Sequence, residues 1–315
     1  MNRTWSEYGI HSINHFALAV PDISTVKHFT ENFGLLLTHQ GHYWALSASD
    51  SLEWARLTEG QCKQTLYVSL NCYEQDFAGL QDQILENGGT VQSPCETGPQ
   101  DGFWFNDPHG HLFHLQAGNK TMPDTKSQPV VVPSESGVAN APTRKTVTRV
   151  KPLRLAHLLL FTPCVDMSVS FFEKALGLLV ADRSGDGVAF MYARFGCDHH
   201  LIALAKSTGT GLHHSSWDVA NINDIGIGAE HMRHNGYPNQ WGLGRHVLGS
   251  NYFSYIQDTD GFWWEYNVDI DYVPAGHTWP SGDYAPEESL YLWGPELPVN
   301  FIENTENPLQ PKPAG

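Results

Sequence analysis

Two imidazoles and a carboxylate stand out in the second half of the chain: His157, His214 and Glu265. His157 lies in the apolar run Leu155-Ala-His-Leu-Leu-Leu-Phe, His214 near the start of Leu212-His-His-Ser-Ser-Trp, and Glu265 inside the aromatic run Phe262-Trp-Trp-Glu-Tyr-Asn. An isolated carboxylate among aromatic residues is costly to bury, so it requires a partner or a metal. One carboxylate and two histidines brought by three strands onto a curved sheet make a facial 2-His-1-carboxylate set. That set leaves coordination positions open and suits non-haem Fe(II) and oxygen chemistry. Catalytic zinc uses the same ligand types, so ligand identity alone does not fix the metal. His213 points the other way from His214 and is expected to be dispensable. The choice of His214 rests on a repeat, because Ile222 follows it at the interval by which Ile23 follows His15.

These residues need strands to carry them. The stretch Gly244–Asn267 reads as strands Asn251–Gln257 and Phe262–Val268 around an Asp-Thr-Asp-Gly turn. Alternation puts Asn251, Phe253 and Tyr255 on one face of the first and Trp263, Glu265 and Asn267 on one face of the second. The bland reading of each residue, a core aromatic, a surface Glu or a stray His, weakens because they recur at matching positions of a repeat.

The chain contains a diverged copy of itself. Ile13-Asn-His-Phe-Ala-Leu-Ala-Val-Pro-Asp22, helix Ser24–Phe33 and Gly34 match Leu155–Asp166, helix Ser168–Leu176 and Gly177. Asn106-Asp-Pro-His-Gly110 through His114 parallels Gln257-Asp-Thr-Asp-Gly261 through Glu265. Each half holds a weaker second copy: Thr65–Asn71 with a helix near Asp76–Asn87, and Leu212–Val219 with one near Ile222–Asn235. Four strand-helix-strands modules result, two per half. The expected organisation is residues 1–120, a Pro- and Ser-rich linker 121–152, a metal-binding unit 153–270, and a lid and tail 271–315.

Composition narrows the classes. The balance of 34 Asp+Glu against 18 Lys+Arg excludes a nucleic-acid footprint and an anionic membrane surface. No apolar run is long enough to span a bilayer, and the N-terminal stretch lacks the apolar core of a signal peptide. Five scattered cysteines without a Cys-x-x-Cys pair fit a reducing cytoplasm and no disulfide framework.

Three further residues gather near the triad: His200 in Asp198-His-His-Leu-Ile-Ala-Leu, and His246 and Tyr255 in the stretch above. The segment Gly-x-x-His, nine residues, Tyr, ten residues, Glu resembles the signature of the two-domain (type I) extradiol catechol dioxygenases of the vicinal oxygen chelate superfamily. So does Leu-His-His opening a strand after Asp-His-His. The resemblance is strong over 153–295 and weak over 10–118.

It implies an α+β fold of two domains, each of two βαβββ modules forming curved, barrel-like mixed sheets. It implies Fe(II), with Mn(II) as an alternative, on His157, His214 and Glu265, and catalytic roles for His200, His246 and Tyr255. O2 and a catecholic substrate, substituted or trihydroxylated, would be the reactants in aromatic degradation, and a homo-oligomer the assembly. Trp217, Phe253, His277 and Trp279 are candidate substrate contacts. In the first half, His15, then Tyr67 or a neighbour, and His114 stand at the ligand positions, a poor Fe(II) set, so one metal per chain is expected. A Zn or Ni isomerase of glyoxalase type and a non-catalytic aromatic-binding protein are the competing readings. The first leaves the His246 and Tyr255 spacing unexplained, and the second predicts an incomplete triad.

Overall fold

The computed structural model describes residues 6–131 and 135–306. Parts of the expected N-terminal unit (1–5), linker (132–134) and tail (307–315) therefore lie outside the described residues. In the first half the order is β1 (Ile10–Val20), α1 (Ile23–Phe33), β2 (Leu36–His39), β3 (Trp44–Ser47) and β4 (Glu53–Glu59). It continues with β5 (Gln64–Cys72), α2 (Glu74–Glu86), β6 (Thr90–Val91), β7 (Phe103–Asn106) and β8 (Leu112–Ala117). The second half repeats it with β9 (Arg154–Thr162), α3 (Val165–Ala175), β10 (Leu178–Ser184), β11 (Val188–Ala193), β12 (Cys197–Asp198) and β13 (Ile202–Lys206). Then come β14 (Gly211–Asp218), α4 (Ile222–His234), β15 (Gln240–Arg245), β16 (Tyr252–Gln257) and β17 (Trp263–Val268). Short β18 (Tyr272–Val273), β19 (Gly282–Asp283) and α5 (Pro286–Ser289) follow. This is the α+β arrangement of paired βαβββ modules. β12 is an added short strand that pairs with β18.

Each half forms one mixed sheet. The orders are β2-β3-β4-β1-β5-β8-β7-β6 and β15-β16-β17-β14-β9-β13-β11-β10-β19, so the two modules of a half join at β1–β5 or at β9–β14. Residues in direct register share a face. In the second sheet His157 and Glu265 both lie opposite Ser216. In the first, His15 and His114 both lie opposite Ser69. The duplication holds to the residue.

Local chemistry sets the ends of the elements. Asp22 caps α1 by accepting from the Ser24 backbone N–H, and Asn221 caps α4 by accepting from that of Asp224. Asp107 and Asp258 hold the equivalent hairpin turns, each accepting backbone N–H groups from two and four residues on. Gly110 and Gly261 close those turns at φ 96° and 87°, where a side chain would be strained. The apolar stripe of α1 packs across the halves. Phe33 stacks on Tyr266 at 3.9 Å, and Phe29 meets Trp264 at 5.4 Å. Burying such a ring contributes on the order of 2 kcal/mol, which ties the second sheet firmly from behind. No helix among the described residues is long and apolar enough to cross a membrane.

Candidate metal centre

β9, β14 and β17 lie side by side, and the register brings His157, His214 and Glu265 to one face. Glu265 Oε2 lies 3.2 Å from His157 Nε2 and 3.7 Å from His214 Nε2, and the two imidazole nitrogens are 3.4 Å apart. All three side chains are buried. Among the described residues this is the one group of three His, Cys, Asp or Glu whose ligand atoms converge.

The hydrogen bonds show what the converging atoms are. The Phe301 carbonyl can only accept, so His213 Nε2, 2.6 Å away, carries a proton. In a neutral imidazole Nδ1 is then the acceptor, and it faces His214 Nδ1 at 2.6 Å. His214 must donate from Nδ1, and its Nε2 presents a lone pair. Both rings are held below the ordinary imidazole range, His213 at about 4, mainly by burial. On Glu265, Oε1 accepts from the Asn251 amide at 3.1 Å, whereas Oε2 has no hydrogen-bond partner. Burial alone would raise the Glu265 carboxyl. The neighbouring imidazoles of His157, His246 and His214 outweigh it and hold the group well below the usual range.

The unpartnered Glu265 oxygen and the His214 lone pair, 3.7 Å apart, repel each other unless a cation or a proton lies between them. Donors about 2.1 Å from a common ion sit about 3.0 to 3.4 Å apart, close to the spacing seen. The residues fit a divalent metal. Asn251 and His213 were not singled out as functional from sequence. Asn251 shares its predicted face with Tyr255, which was the available signal. His213 was expected to point away, yet its Nδ1 meets His214 Nδ1 at 2.6 Å while its Nε2 reaches the Phe301 carbonyl.

The other expected site residues divide. His200 sits with its ring 4.0 Å from that of His157 and its Nδ1 3.1 Å from His199 Nδ1. His246 donates from Nδ1 to the Leu290 carbonyl at 2.6 Å, which leaves Nε2 to accept from the Tyr255 hydroxyl at 3.0 Å. Burial, reinforced by Glu265, pushes the Tyr255 phenol well up, so it holds its proton. Phe253 stacks on His246 at 4.0 Å.

Trp217 does not reach the site. It follows Ser216 on the opposite face of β14, stacks on Trp264 and donates to Ser215 Oγ, so its place as a substrate contact is corrected to the core behind the sheet. Trp279 is one step removed, its indole N–H on Asp182 and its ring against His199. His277 lies exposed in the turn after β18.

Among the described residues the first sheet has no such centre. His15 Nε2 is taken by the Tyr67 hydroxyl at 2.9 Å, and His114 is held by Ser69 Oγ and the Asp101 carbonyl. Trp104 fills the space between Tyr67 and His114.

A family model described as the Glyoxalase/Bleomycin resistance protein/Dioxygenase superfamily matches residues 154–266, the stretch that carries the triad. Metapyrocatechase 2 of Cupriavidus necator is 46% identical over 299 residues, covering 95% of this chain and 93% of that protein. This chain belongs to the extradiol catechol dioxygenases of the vicinal oxygen chelate superfamily. It is thus an oxidoreductase of that family. An iron-dependent extradiol dioxygenase of Rhodococcus jostii is 27% identical over 162 residues, 47% of this chain and 52% of that one.

Two solved structures share the fold. The Mn(II)-bound glyoxalase of Novosphingobium aromaticivorans has a TM-score of 0.71 at 23% identity, covering 91% of this chain and 92% of its own. The 2,2',3-trihydroxybiphenyl 1,2-dioxygenase of Sphingomonas wittichii has 0.70 at 16%, covering 92% and 100%. A glyoxalase and a dioxygenase match equally well, so the fold does not separate the two chemistries.

Proposed function

We propose that the protein cleaves the ring of a substituted catechol or trihydroxylated aromatic beside its diol, with Fe(II) held by His157, His214 and Glu265. The carbon–carbon bond next to the diol breaks and both atoms of O2 enter the product, so no external reductant is consumed. The observation that carries this reading is the Tyr255–His246 pair beside a complete triad. Bound Fe(II) would supply a template and electron path between the two oxygen-bearing reactants and stabilise their charge.

The chain's own groups account for binding and proton handling. Tyr255 donates to His246 Nε2, so its oxygen can accept from a diol hydroxyl. A proton entering there can pass along the same bond to His246, whose Nδ1–H is fixed by the Leu290 carbonyl. Asn251 keeps one Glu265 oxygen engaged, so only the other faces the ligand set. The neutral His200 ring beside His157 can orient O2, take a proton that leaves the diol and return it to the reacting oxygen. Phe253 and the stacked His246 face offer a flat apolar wall to an aromatic ring.

The test is anaerobic reconstitution with Fe(II) and metal analysis, followed by catechol and 2,3-dihydroxybiphenyl in air. About one iron per chain, one O2 consumed per diol and a yellow ring-opened product are expected. Tightly held zinc or nickel with no oxygen uptake from any diol would replace this reading with an isomerase.

A further inference from the structure

We infer that Asp182 and His199 are positioning residues that fix His200 as the Nδ1–H tautomer and link that setting to the segment 279–282 folded over β10. The inference rests on the reading of His200 as the proton-exchanging group. It concerns how this chain sets that group. Asp182 and His199 were not among the expected site residues.

Asp182, on β10, is buried and faces three N–H donors. Its Oδ2 accepts from His199 Nε2 at 2.8 Å and from the Trp279 indole at 3.1 Å, and its Oδ1 accepts from the Gly282 backbone at 2.7 Å. An ionised carboxylate only accepts, so the His199 proton resides on Nε2. A neutral His199 then presents Nδ1 as an acceptor, which makes its partner at 3.1 Å, His200 Nδ1, the donor; a cationic His199 would donate instead and put the His200 proton on Nε2. With His199 neutral, the nitrogen His200 has left for the site, Nε2, carries a lone pair. His200 therefore meets the reactants as a proton acceptor, and it becomes a donor only after taking a proton.

The His213–His214 pair supports this deduction. It has the same construction, a neighbouring histidine bonded Nδ1 to Nδ1 with its outer Nε2 on an obligatory acceptor, there the Phe301 carbonyl. The same proton count there leaves His214 Nε2 bare, as metal ligation requires. Two histidine dyads thus set two inner rings, one for a ligand and one for proton exchange.

The Asp182 end is tied to the covering segment. Besides the Trp279 and Gly282 donors, Gly282–Asp283 pairs with Asp182–Arg183, Ser281 Oγ donates to the Val180 carbonyl, and the Trp279 ring meets His199 edge-on at 5.2 Å. Two of the three donors on Asp182 come from this segment. Its seating over the sheet and the orientation of the relay are therefore one arrangement.

Metal-free protein labelled with 15N-histidine gives the direct test, since long-range 1H–15N spectra distinguish the protonated from the bare nitrogen of each ring. The expected result is a bare Nε2 and a protonated Nδ1 at His200. A protonated Nε2 in the wild-type protein would overturn the inference, and this readout needs neither metal nor turnover. His199→Phe keeps ring volume but offers no acceptor, whereas His199→Asn can place an amide oxygen where Nδ1 stood. In the iron-loaded enzyme, kcat should fall about ten- to a hundred-fold in His199→Phe, with KM for the diol and iron content within about two-fold of wild type. His199→Asn should recover most of kcat. Equal losses in both variants would reduce His199 to packing and overturn the proposal. Absence of ring cleavage by the wild type would instead sink the reaction assignment and leave the tautomer measurement standing.

Discussion

Removing His213 should weaken metal binding although His213 does not itself converge on the metal position. In His213→Ala, His214 Nδ1–H and the Phe301 carbonyl both lose their partner in a buried setting. Each orphaned group costs about 1–3 kcal/mol. The ring's edge contacts with Phe161 and Phe301, at 5.2 and 4.7 Å, go with it. Freedom of His214 to take either tautomer costs the metal only a factor of about two, roughly 0.4 kcal/mol. Lost orientation and lost basicity of the ring are the larger part, and an outer partner of a ligating histidine contributes about ten- to a hundred-fold in affinity. The expected loss is therefore about 1.4–2.7 kcal/mol of metal binding. Anaerobic competition for Fe(II) against a chelator of known affinity measures it, and denaturant melts of the metal-free forms separate it from global destabilisation. His213→Asn, whose amide oxygen can accept from His214, should recover part of it. Wild-type affinity in His213→Ala, within about two-fold, would show that the dyad does not orient the ligand.

Two other outcomes follow from the same structure. Tyr255→Phe removes the hydroxyl that bonds His246 Nε2 without touching a ligand atom, so iron content should hold while kcat falls by about 10²-fold or more; steady-state kinetics at saturating diol with metal analysis decides. Lys63 is buried against Phe262 with its ammonium on Thr305, and burial lowers it to about 8 from 10.5. Its folded value lies below its unfolded one, so its stabilising contribution is fully present above pH 10.5 and is lost as pH falls through about 8. Lys63→Met should abolish that pH-dependent difference, read as the wild-type-minus-variant change in melting temperature between pH 8 and 10.5.

The repeat was legible because it is written in residue types at fixed intervals. His15 and His157, Ser69 and Ser216, and His114 and Glu265 occupy matching register positions, and the sequence places two of those three pairs by eye. The hairpin around Glu265 was read to within one residue at the start of each strand. Alternation correctly grouped Phe253 with Tyr255 on one strand and Glu265 with Asn267 on the next, since a strand's period of two leaves little freedom; the register that pairs Tyr255 with Glu265 brings the two groups to one side. Trp217 was misplaced because an aromatic residue near a site reads alike from either face. Its odd-numbered position relative to His214 and Ser216 was the signal against it.

The sequence by itself determined which residues can ligate and which strands carry them, because ligand type and strand period are local properties of the chain. The tertiary structure alone decided the proton positions. Those depend on acceptors far away in sequence: Phe301 is 88 residues from His213, and Leu290 is 44 from His246. Asp182 stands 17 residues before His199, on a different strand. A hydrogen bond needs its partner within about 3 Å and in line, a condition that no spacing along the chain encodes and that only the packed sheets and the returning tail satisfy.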